Sequence, residues 1–208
     1  MIRKILNYLA KNIQLFELFE KIFGADGQKK KIYRQAFKNN KRLLDFGCST
    51  GNTTEAFLDF DYYGLDLDKD CIRYAKNRWK DYPNIKFIAQ NIFKKPFRKE
   101  YFDYVLFAGT GHHIQESLFI PIVKELIYVL KKGGEIWFYD ILKPGKKSPL
   151  ATKILASLDR GRHIRSMSEY KNIFDKIKGI DTLEKRVIKV SGTVIPQEDY
   201  CFFRLKKN

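Results

Sequence analysis

Short hydrophobic runs alternate with longer amphipathic segments along most of the chain. A short apolar run between turn residues indicates a buried strand, whereas apolar residues three and four positions apart indicate a helix that packs on a core. The pattern predicts, in chain order, helices at 2–23 and 28–40, a strand at 42–46, a helix at 51–58, a strand at 61–66, a helix at 69–80, strands at 84–88 and 101–107, a helix at 115–130 and a strand at 134–141. Such alternation is typical of an α/β fold with a doubly wound, mostly parallel sheet.

The regular alternation ends after residue 141. The rest of the chain shows an inserted helix and loop at 149–167, a helix at 168–178 and β-rich segments at 182–195 and 199–206. Ligands of doubly wound sheets bind beyond the carboxyl ends of the strands, so we expect an insert at 142–167 to cover a ligand as a lid. We therefore divide the chain into an N-terminal helical cap at 1–40 and an α/β domain at 41–208.

A glycine-rich turn after the strand at 42–46 is the most informative motif. Its residues are Asp45-Phe46-Gly47-Cys48-Ser49-Thr50-Gly51. Glycine adopts backbone angles closed to other residues and has no Cβ, so a ligand can lie against the main chain. The N–H groups that open the next helix would face that ligand as donors. Asp66 ends the next strand 19 residues after Gly47, where a nucleotide-binding β-α-β unit places the carboxylate for ribose hydroxyls.

Three kinds of site are compatible with this turn. A dinucleotide site prefers the order G-x-G-x-x-G, and Asp45 would repel a pyrophosphate but suits a cofactor with an ammonium group. The same residues match G-x-S-x-G, the nucleophile elbow of hydrolases, with Ser49 as nucleophile and Asp140 and His163 as candidate partners. The elbow accounts for neither Asp45 nor Asp66. The third kind of site binds a nucleoside cofactor that carries an ammonium group.

Five motifs between residues 40 and 142 resemble, in order and spacing, those of the class I S-adenosylmethionine-dependent methyltransferases, in particular the branch that methylates quinones and related metabolites. The motifs lie at 44–51, 62–67, 87–92, 102–114 and 130–136. The resemblance implies a seven-stranded Rossmann-like sheet with an antiparallel last strand, and S-adenosyl-L-methionine as cofactor. It implies that ten residues contact this cofactor: Asp45, Gly47, Ser49, Gly51, Asp66, Leu67, Asn91, Ile92, Phe107 and Ala108.

The resemblance also assigns individual roles. Asp66 would bind both ribose hydroxyls, and Leu67 would pack on the adenine. Asn91 stands where the family usually has an aspartate, and its amide oxygen can still accept a hydrogen bond from the adenine amino group. Ser49 replaces the commonest middle glycine of the first motif. Backbone at the end of the fourth strand would meet the methionine end of the cofactor.

Two polar clusters are candidates for contact with a methyl acceptor. His112 and His113 follow the fourth strand, and an imidazole titrates near neutrality, so either is a candidate base. His113 occupies the histidine position usual in the family. Arg162, His163 and Arg165 lie in the expected lid, where guanidinium groups would bind a carboxylate or phosphate in a bidentate way.

The composition fits one α/β domain. The chain has 208 residues, 44% of them hydrophobic, which is enough for a sizeable core. Its 3 cysteines form no Cys-x-x-Cys pair, so we expect neither a disulfide framework nor a metal site, and a cytoplasmic location. No hydrophobic run reaches the length of a membrane span, and the first residues do not read as a signal peptide.

The net charge of +16 does not by itself identify the binding partner. Nucleic acid, an anionic membrane surface contacted peripherally, or an anionic small molecule would each use this surplus. No recognised nucleic-acid module accompanies it. Our first hypothesis is methyl transfer to a small or lipid-like metabolite. The alternatives are an RNA methyltransferase that uses the basic surface and a cofactor-binding protein without turnover, and the oligomeric state stays open.

Overall fold

In the part of the chain that the structure describes, seven strands joined mainly by helices pair into one sheet. The computed structural model describes residues 26–34, 37–38, 41–146, 148–158, 162–190 and 198–208, so the helix predicted at 2–23 lies outside the described residues. The strands are β1 Arg42–Phe46, β2 Asp61–Asp66, β3 Ile85–Ala89, β4 Phe102–Ala108, β5 Leu130–Ile141, β6 Ile180–Val190 and β7 Glu198–Lys207. The α-helices in these ranges are α1 Asp26–Arg34, α2 Lys69–Arg78, α3 Glu116–Val129, α4 Leu150–Leu158 and α5 Met167–Phe174.

The strand order in the sheet is β3-β2-β1-β4-β5-β7-β6. Strands β1 to β5 run parallel, and β7 lies between β5 and β6 and runs antiparallel to both. The expected doubly wound, seven-stranded sheet with an antiparallel last strand is therefore confirmed. The order reverses between β1 and β4, and this switch point is where ligands of such sheets bind.

Both faces of the sheet are covered by helices, so adjacent strand residues enter different cores. Leu44 and Tyr63 pack with α3 and α5, whereas Leu43 and Tyr62 pack with α1 and α2. Parallel strands buried on both faces read as continuous apolar runs, which is why the strand predictions come within a few residues of the observed bounds. No helix in the described ranges is long and apolar enough to cross a membrane.

The helix predicted at 51–58 is wrong. A single 3-10 turn, Thr54–Phe57, stands in its place. The chain has only residues 47–60 to return from the end of β1 to the start of β2, and the glycine turn uses the first five of them. A 3-10 turn advances about 2.0 Å per residue along its axis, whereas an α-helix advances about 1.5 Å. The 3-10 turn therefore spans the same distance with fewer residues, which suits this short return. The expected helix N-terminus is therefore absent at this position.

The two ends of the insert at 142–167 pair with each other. Leu142 and Arg165 form a parallel bridge, and Lys143 N donates to Arg165 O at 3.0 Å. α5 begins directly after this bridge because Ser166 and Glu169 form a reciprocal capping box. Its first turn is thereby anchored beside the end of β5. Both ends of the insert are thus held at the carboxyl edge of the sheet.

Candidate functional site

Most predicted cofactor residues lie at the carboxyl ends of β1, β2 and β4, and Asn91 and Ile92 follow β3. The turn after β1 contacts both neighbouring strands. Gly47 N donates to Leu65 O of β2 at 2.8 Å, and Thr110, just after β4, donates to Gly47 O at 3.4 Å. The site therefore lies at the switch point of the sheet.

Three residues of the turn have left-handed backbone angles, with φ of 79° at Gly47, 47° at Ser49 and 72° at Gly51. A Cβ on Gly47 would lie 2.2 Å from Thr110 Oγ1. A Cβ on Gly51 would lie 3.0 Å from Trp79 Nε1, and that indole donates to Gly51 O at 3.2 Å. Protein packing by itself thus requires both glycines, in addition to any approach of a ligand to the main chain.

The carboxylate of Asp66 connects the end of β2 to this turn. Its Oδ2 accepts from Ser49 N at 2.9 Å, and its Oδ1 accepts from Asp68 N at 2.9 Å. The next residue, Leu67, is 69% exposed although it is apolar. An acidic group at a strand end beside an exposed leucine is the arrangement that a ribose and its base would need.

Asp45 is buried beneath the turn, with 3% of its surface exposed. Its Oδ2 accepts from the Tyr62 hydroxyl at 2.6 Å and from Thr53 Oγ1 at 2.9 Å. Burial raises the pKa of the Asp45 carboxyl to about 6, and the two hydrogen bonds moderate the rise. Asp45 therefore shapes the floor of the turn and is partly protonated near pH 6.

The other predicted cofactor residues divide into backbone and side-chain positions. Asn91 is exposed, and its Oδ1 accepts from Phe93 N at 2.9 Å as the cap of a short 3-10 turn. The side chains of Ile92 and Phe107 are buried in the core, so only their backbone can reach a ligand. Ala108 is half-buried at the end of β4. We keep Asn91 and Ala108 as candidates for side-chain contact.

The two histidines occupy different environments. His112 is 7% exposed, and its Nδ1 lies 2.5 Å from Asp140 Oδ1. His113 is exposed, and its ring centroid lies 4.1 Å from that of His112. Asp140 is fully buried and also accepts from the Tyr170 hydroxyl at 2.7 Å. The structure therefore builds a hydrogen-bonded network around His112.

Arg165 does not lie where a substrate clamp was expected. It is 6% exposed, and its guanidinium donates to Gly111 O at 3.0 Å, His163 O at 3.1 Å and Ile114 O at 2.8 Å. Its donors are thus used by backbone carbonyls around the histidine turn. The expectation of a substrate contact fails here because the side chain packs inward, over the ring of Phe119.

The other two residues of that cluster stay nearer the surface. Arg162 is exposed and His163 is half-buried, with the backbone N–H of His163 donating to His112 O at 3.0 Å. The insert therefore contacts the turn after β4 directly. His163 therefore lies beside the histidine turn, and the substrate contacts of Arg162 and His163 stay predictions.

The nucleophile elbow is not assembled. Ser49 Oγ lies 3.9 Å from Cys71 Sγ, on the β2 side of the site. Its supposed acid, Asp140, is held by His112 and Tyr170 instead. Ser49 thus lacks the His–Asp arrangement that activates a serine nucleophile.

Three features of the site were not predicted from the sequence: the pairing of Asp140 with His112, and the contacts of Tyr170 and Thr110. Asp140 lies one residue before the end of β5, which neighbours β4, so its place beside a residue that follows β4 could have been inferred from the strand order. Tyr170 gives no comparable signal, because it comes from a helix 30 residues further along the chain. Thr110, which packs on Gly47 across 63 residues, was also missed.

Comparison with known proteins agrees with this geometry. Residues 43–134 match a family model described as a methyltransferase domain. Demethylmenaquinone methyltransferase of Lysinibacillus sphaericus (strain C3-41) is 26% identical over 106 residues, which cover 49% of this chain and 44% of that protein. The probable tRNA methyltransferase 9B of Homo sapiens is 28% identical over 108 residues, which cover 51% of this chain and 23% of that protein. The chain thus spans less than half the length of these two curated relatives.

Solved structures share the fold. A putative methyltransferase from Bacillus halodurans C-125 superposes with a TM-score of 0.69 at 17% identity, over 87% of this chain and 99% of that one. The likeness at this identity concerns the fold. The family match over residues 43–134, the curated relatives and the motif residues gathered at the switch point together support a class I S-adenosylmethionine-dependent methyltransferase.

Proposed function

We propose that this protein transfers a methyl group from S-adenosylmethionine to a small or lipid-like metabolite in the cytoplasm. The observation that carries the proposal is the convergence of three features at the switch point. These are the glycine turn after β1, Asp66 at the end of β2 and the turn after β4 that holds His112. The free thiols of Cys48, Cys71 and Cys201 support a reducing compartment.

The residues at the site fit the cofactor. The left-handed turn from Gly47 to Gly51 would let the cofactor lie against the main chain, Asp66 would accept from the ribose hydroxyls, and exposed Leu67 would cover the adenine. The Asp45 carboxyl, ionised above about pH 6, favours a ligand with an ammonium group. The bound cofactor supplies an electrophilic methyl carbon on a sulfonium. The protein holds the acceptor against it and excludes water, which can lower the barrier by roughly 7 to 11 kcal/mol.

The insert supports an apolar acceptor. On α4, the apolar side chains of Leu150 and Ile154 are 74% and 48% exposed. The base of the insert lies at the carboxyl edge of the sheet, so we assign 142–167 the role of a lid over the acceptor. Arg162 and His163 would face an anionic or polar part of it. The relative named as a demethylmenaquinone methyltransferase acts, by its name, on a lipid-like quinone.

RNA is the second candidate acceptor. The net charge of +16 favours a polyanion, and one relative is named as a probable tRNA methyltransferase. An RNA acceptor requires binding that weakens steeply with salt, because basic residues release counterions from the phosphates. A third candidate, a cofactor-binding protein without turnover, would bind the cofactor and methylate neither acceptor.

The first experiment measures cofactor binding. Calorimetric titration with S-adenosylhomocysteine is expected to give micromolar binding, about −8 kcal/mol, and Asp66→Ala is expected to lose it. NAD is the control ligand, and Asp70→Asn is a matched carboxylate control because Asp70 is exposed and pairs with Arg73. Binding of NAD instead of S-adenosylhomocysteine would overturn the cofactor assignment.

The second experiment measures turnover with different methyl acceptors. Release of S-adenosylhomocysteine is followed with demethylmenaquinone that has been reduced to the quinol in detergent micelles, because the electron-rich quinol is the nucleophilic form. Menaquinol, which already carries the methyl group, is the control and is expected to give no turnover. A tRNA transcript is tested in parallel at low and high salt. Turnover on tRNA alone would replace the small-molecule proposal with the RNA one.

A further inference from the structure

The outward side of α4 carries apolar side chains. Leu150 is 74% exposed and Ile154 is 48% exposed. Side chains four positions apart lie on the same face of a helix, so these two residues form one exposed apolar strip. Thr152, which lies between them in the sequence, is buried. A surface helix normally turns its apolar face towards the core, whereas α4 turns this strip away from it.

Basic side chains border the apolar strip. Lys153 is exposed, and its Nζ donates to the carbonyl of Lys146, which is also exposed, at 2.8 Å. Lys153 follows Leu150 by three positions, so it lies beside the strip on the same face of α4. Lys143 and Arg162, nearer the two ends of the insert, are exposed as well. The insert therefore presents an apolar strip within a basic surface.

The sequence of the insert is basic throughout. Its one acidic residue is Asp159, and its basic residues are Lys143, Lys146, Lys147, Lys153, Arg160, Arg162 and Arg165. It contains no phenylalanine, tyrosine or tryptophan. The insert thus combines aliphatic residues with a large surplus of positive charge.

These residue types favour a lipid surface over RNA as the partner. Helices that lie on a membrane place apolar side chains among the acyl chains and lysine or arginine side chains at the headgroups. Anionic headgroups attract each of these cations. Proteins that bind single-stranded nucleic acid instead use aromatic side chains on which the bases stack, and the insert has none.

The position of α4 determines which side of the molecule would face the membrane. The two ends of the insert pair through Leu142 and Arg165 at the carboxyl edge of the sheet. The glycine turn and Asp66 lie at the same edge. A membrane in contact with α4 would therefore lie on the side where the site opens, and an acceptor dissolved in the bilayer would reach the site from there.

We propose that α4 and the basic residues beside it bind the surface of a membrane that contains anionic phospholipids. This inference rests on the proposed function for its purpose, because a lipid-like acceptor dissolves in the bilayer. The contact itself involves neither cofactor nor acceptor, so it is tested without either. It requires only that α4 lies in the headgroup region, in keeping with the absence of a membrane-spanning helix from the described ranges.

Co-sedimentation with lipid vesicles tests the contact. The vesicles contain phosphatidylglycerol and phosphatidylcholine in equal parts, or phosphatidylcholine alone. We expect binding to the anionic vesicles that weakens with added salt, and much weaker binding to the neutral ones. The double variant Leu150→Ser/Ile154→Ser is expected to lower the affinity for anionic vesicles about 10-fold or more, because two apolar side chains no longer enter the lipid.

A second exposed apolar pair provides the matched control. Leu183 and Val187 are each 49% exposed and lie on β6, at the edge of the sheet. Leu183→Ser/Val187→Ser is expected to bind the vesicles as the wild-type protein does. Both double variants are expected to unfold near the wild-type temperature, because they replace exposed side chains.

Removal of charge tests the basic part of the surface. Lys146→Gln/Lys153→Gln is expected to lower the affinity for anionic vesicles about 5-fold for each lysine removed. The control, Lys132→Gln/Lys178→Gln, removes the same charge from exposed positions near the amino ends of β5 and β6. It is expected to change the affinity little.

An added indole measures insertion directly. The native Trp79 and Trp137 are buried, so Leu150→Trp adds an exposed tryptophan. Its emission is expected to move to shorter wavelength on anionic vesicles and to be quenched by phosphatidylcholine with brominated acyl chains. Val187→Trp is the control and is expected to show neither effect.

The outcomes separate the possibilities. A wild-type protein that does not bind anionic vesicles, or a Leu150→Trp variant that is not quenched on them, would overturn the membrane contact. Tighter binding to a tRNA transcript than to the vesicles, weakened by Lys146→Gln/Lys153→Gln and unchanged by Leu150→Ser/Ile154→Ser, would assign the basic surface to RNA instead. Vesicle binding as expected without methylation of any lipid-like acceptor would count against the proposed function and leave the membrane contact standing.

Discussion

The carboxylate of Asp66 accepts a hydrogen bond from the backbone N–H of Ser49 at 2.9 Å. Ser49 has a φ of 47°, a left-handed conformation that non-glycine residues adopt at a cost of about 1–2 kcal/mol. A charge-assisted bond to the backbone offsets part of that cost. The acidic residue expected to bind ribose thus also determines the shape of the turn that precedes it.

Ser49 should accept glycine better than alanine. Both substitutions remove the hydroxyl, but only glycine removes the left-handed strain. We expect Ser49→Gly to be more stable than Ser49→Ala by about 1 kcal/mol, measured as the free energy of unfolding in urea. Equal stabilities would mean that Ser49 carries no strain in this turn.

Gly47 should not tolerate alanine. The new Cβ would lie 2.2 Å from Thr110 Oγ1 at a φ of 79°, and we expect a loss of about 2–4 kcal/mol from overpacking and strain together. Gly133→Ala is the matched control, because its φ is 73° and the nearest atom to a Cβ would be 3.9 Å away. It should cost only the strain, about 1 kcal/mol.

A double-mutant cycle tests the cause of the Gly47 effect. Thr110→Ala removes the closest atoms of the clash, so it should recover at least about 1 kcal/mol in the Gly47→Ala background. Additive losses would show that backbone strain alone excludes a side chain at Gly47.

The Asp45 carboxyl should make stability depend on pH. Its pKa rises from 3.8 to about 6 on folding, so the folded protein binds this proton more tightly than the unfolded chain does. Its contribution to stability is therefore fully present below about pH 4 and is lost as the pH rises through about 6. Asp45→Asn avoids this loss, and its amide oxygen can accept the same hydrogen bonds from Tyr62 and Thr53.

We therefore expect Asp45→Asn to match the wild-type protein at pH 4 and to exceed it by roughly 3 kcal/mol at pH 8. Urea unfolding at the two pH values checks this. The same variant should bind S-adenosylhomocysteine more weakly at pH 8, since it lacks the charge that favours an ammonium group. Equal pH profiles for the two proteins would refute the raised pKa.

Substitution of Arg165 should lower the free energy of unfolding more than it lowers the affinity for substrate. Arg165→Met would remove the guanidinium donors from the carbonyls of Gly111, His163 and Ile114, although Gly111 O keeps the Ile114 N–H, and we expect a loss of about 3–5 kcal/mol. Arg165→Lys should recover only part of it, because one ammonium does not reproduce the fork of the guanidinium. Arg162→Met, at an exposed position, should stay within about 0.5 kcal/mol.

The Arg165 variants are measured by thermal unfolding and by the NMR signals of the His112 imidazole in ¹⁵N-labelled protein. A stable Arg165→Met variant with unchanged His112 signals would restore the substrate clamp as the better interpretation. A destabilised variant with displaced His112 signals would support its role in holding the histidine turn.

The linear pattern of residues was sufficient for the sheet and for the position of the glycine turn beside Asp66. Strands buried on both faces leave uninterrupted apolar runs, and crossover helices leave amphipathic ones, so fold class follows from periodicity. The position of Asp66 after Gly47 also follows, because both residues belong to one β-α-β unit and local chain geometry sets their separation.

Tertiary structure decided what local pattern cannot encode. The segment after Gly51 has apolar residues that a helix would also show, but in the folded chain the short return to β2 forms a 3-10 turn. The sequence predicts that Arg165 binds an anionic substrate. In the structure its guanidinium donates instead to the carbonyls of Gly111 and Ile114, more than 50 residues away in the chain.

The partner of His112 was decided in the same way. Asp140 lies 28 residues away and Tyr170 a further 30 residues beyond it. Sequence alone offered both His112 and His113 as candidate bases, with His113 at the histidine position usual in the family. Only the folded chain buries one ring against a carboxylate and exposes the other, since burial and hydrogen bonding depend on which strands and helices become neighbours.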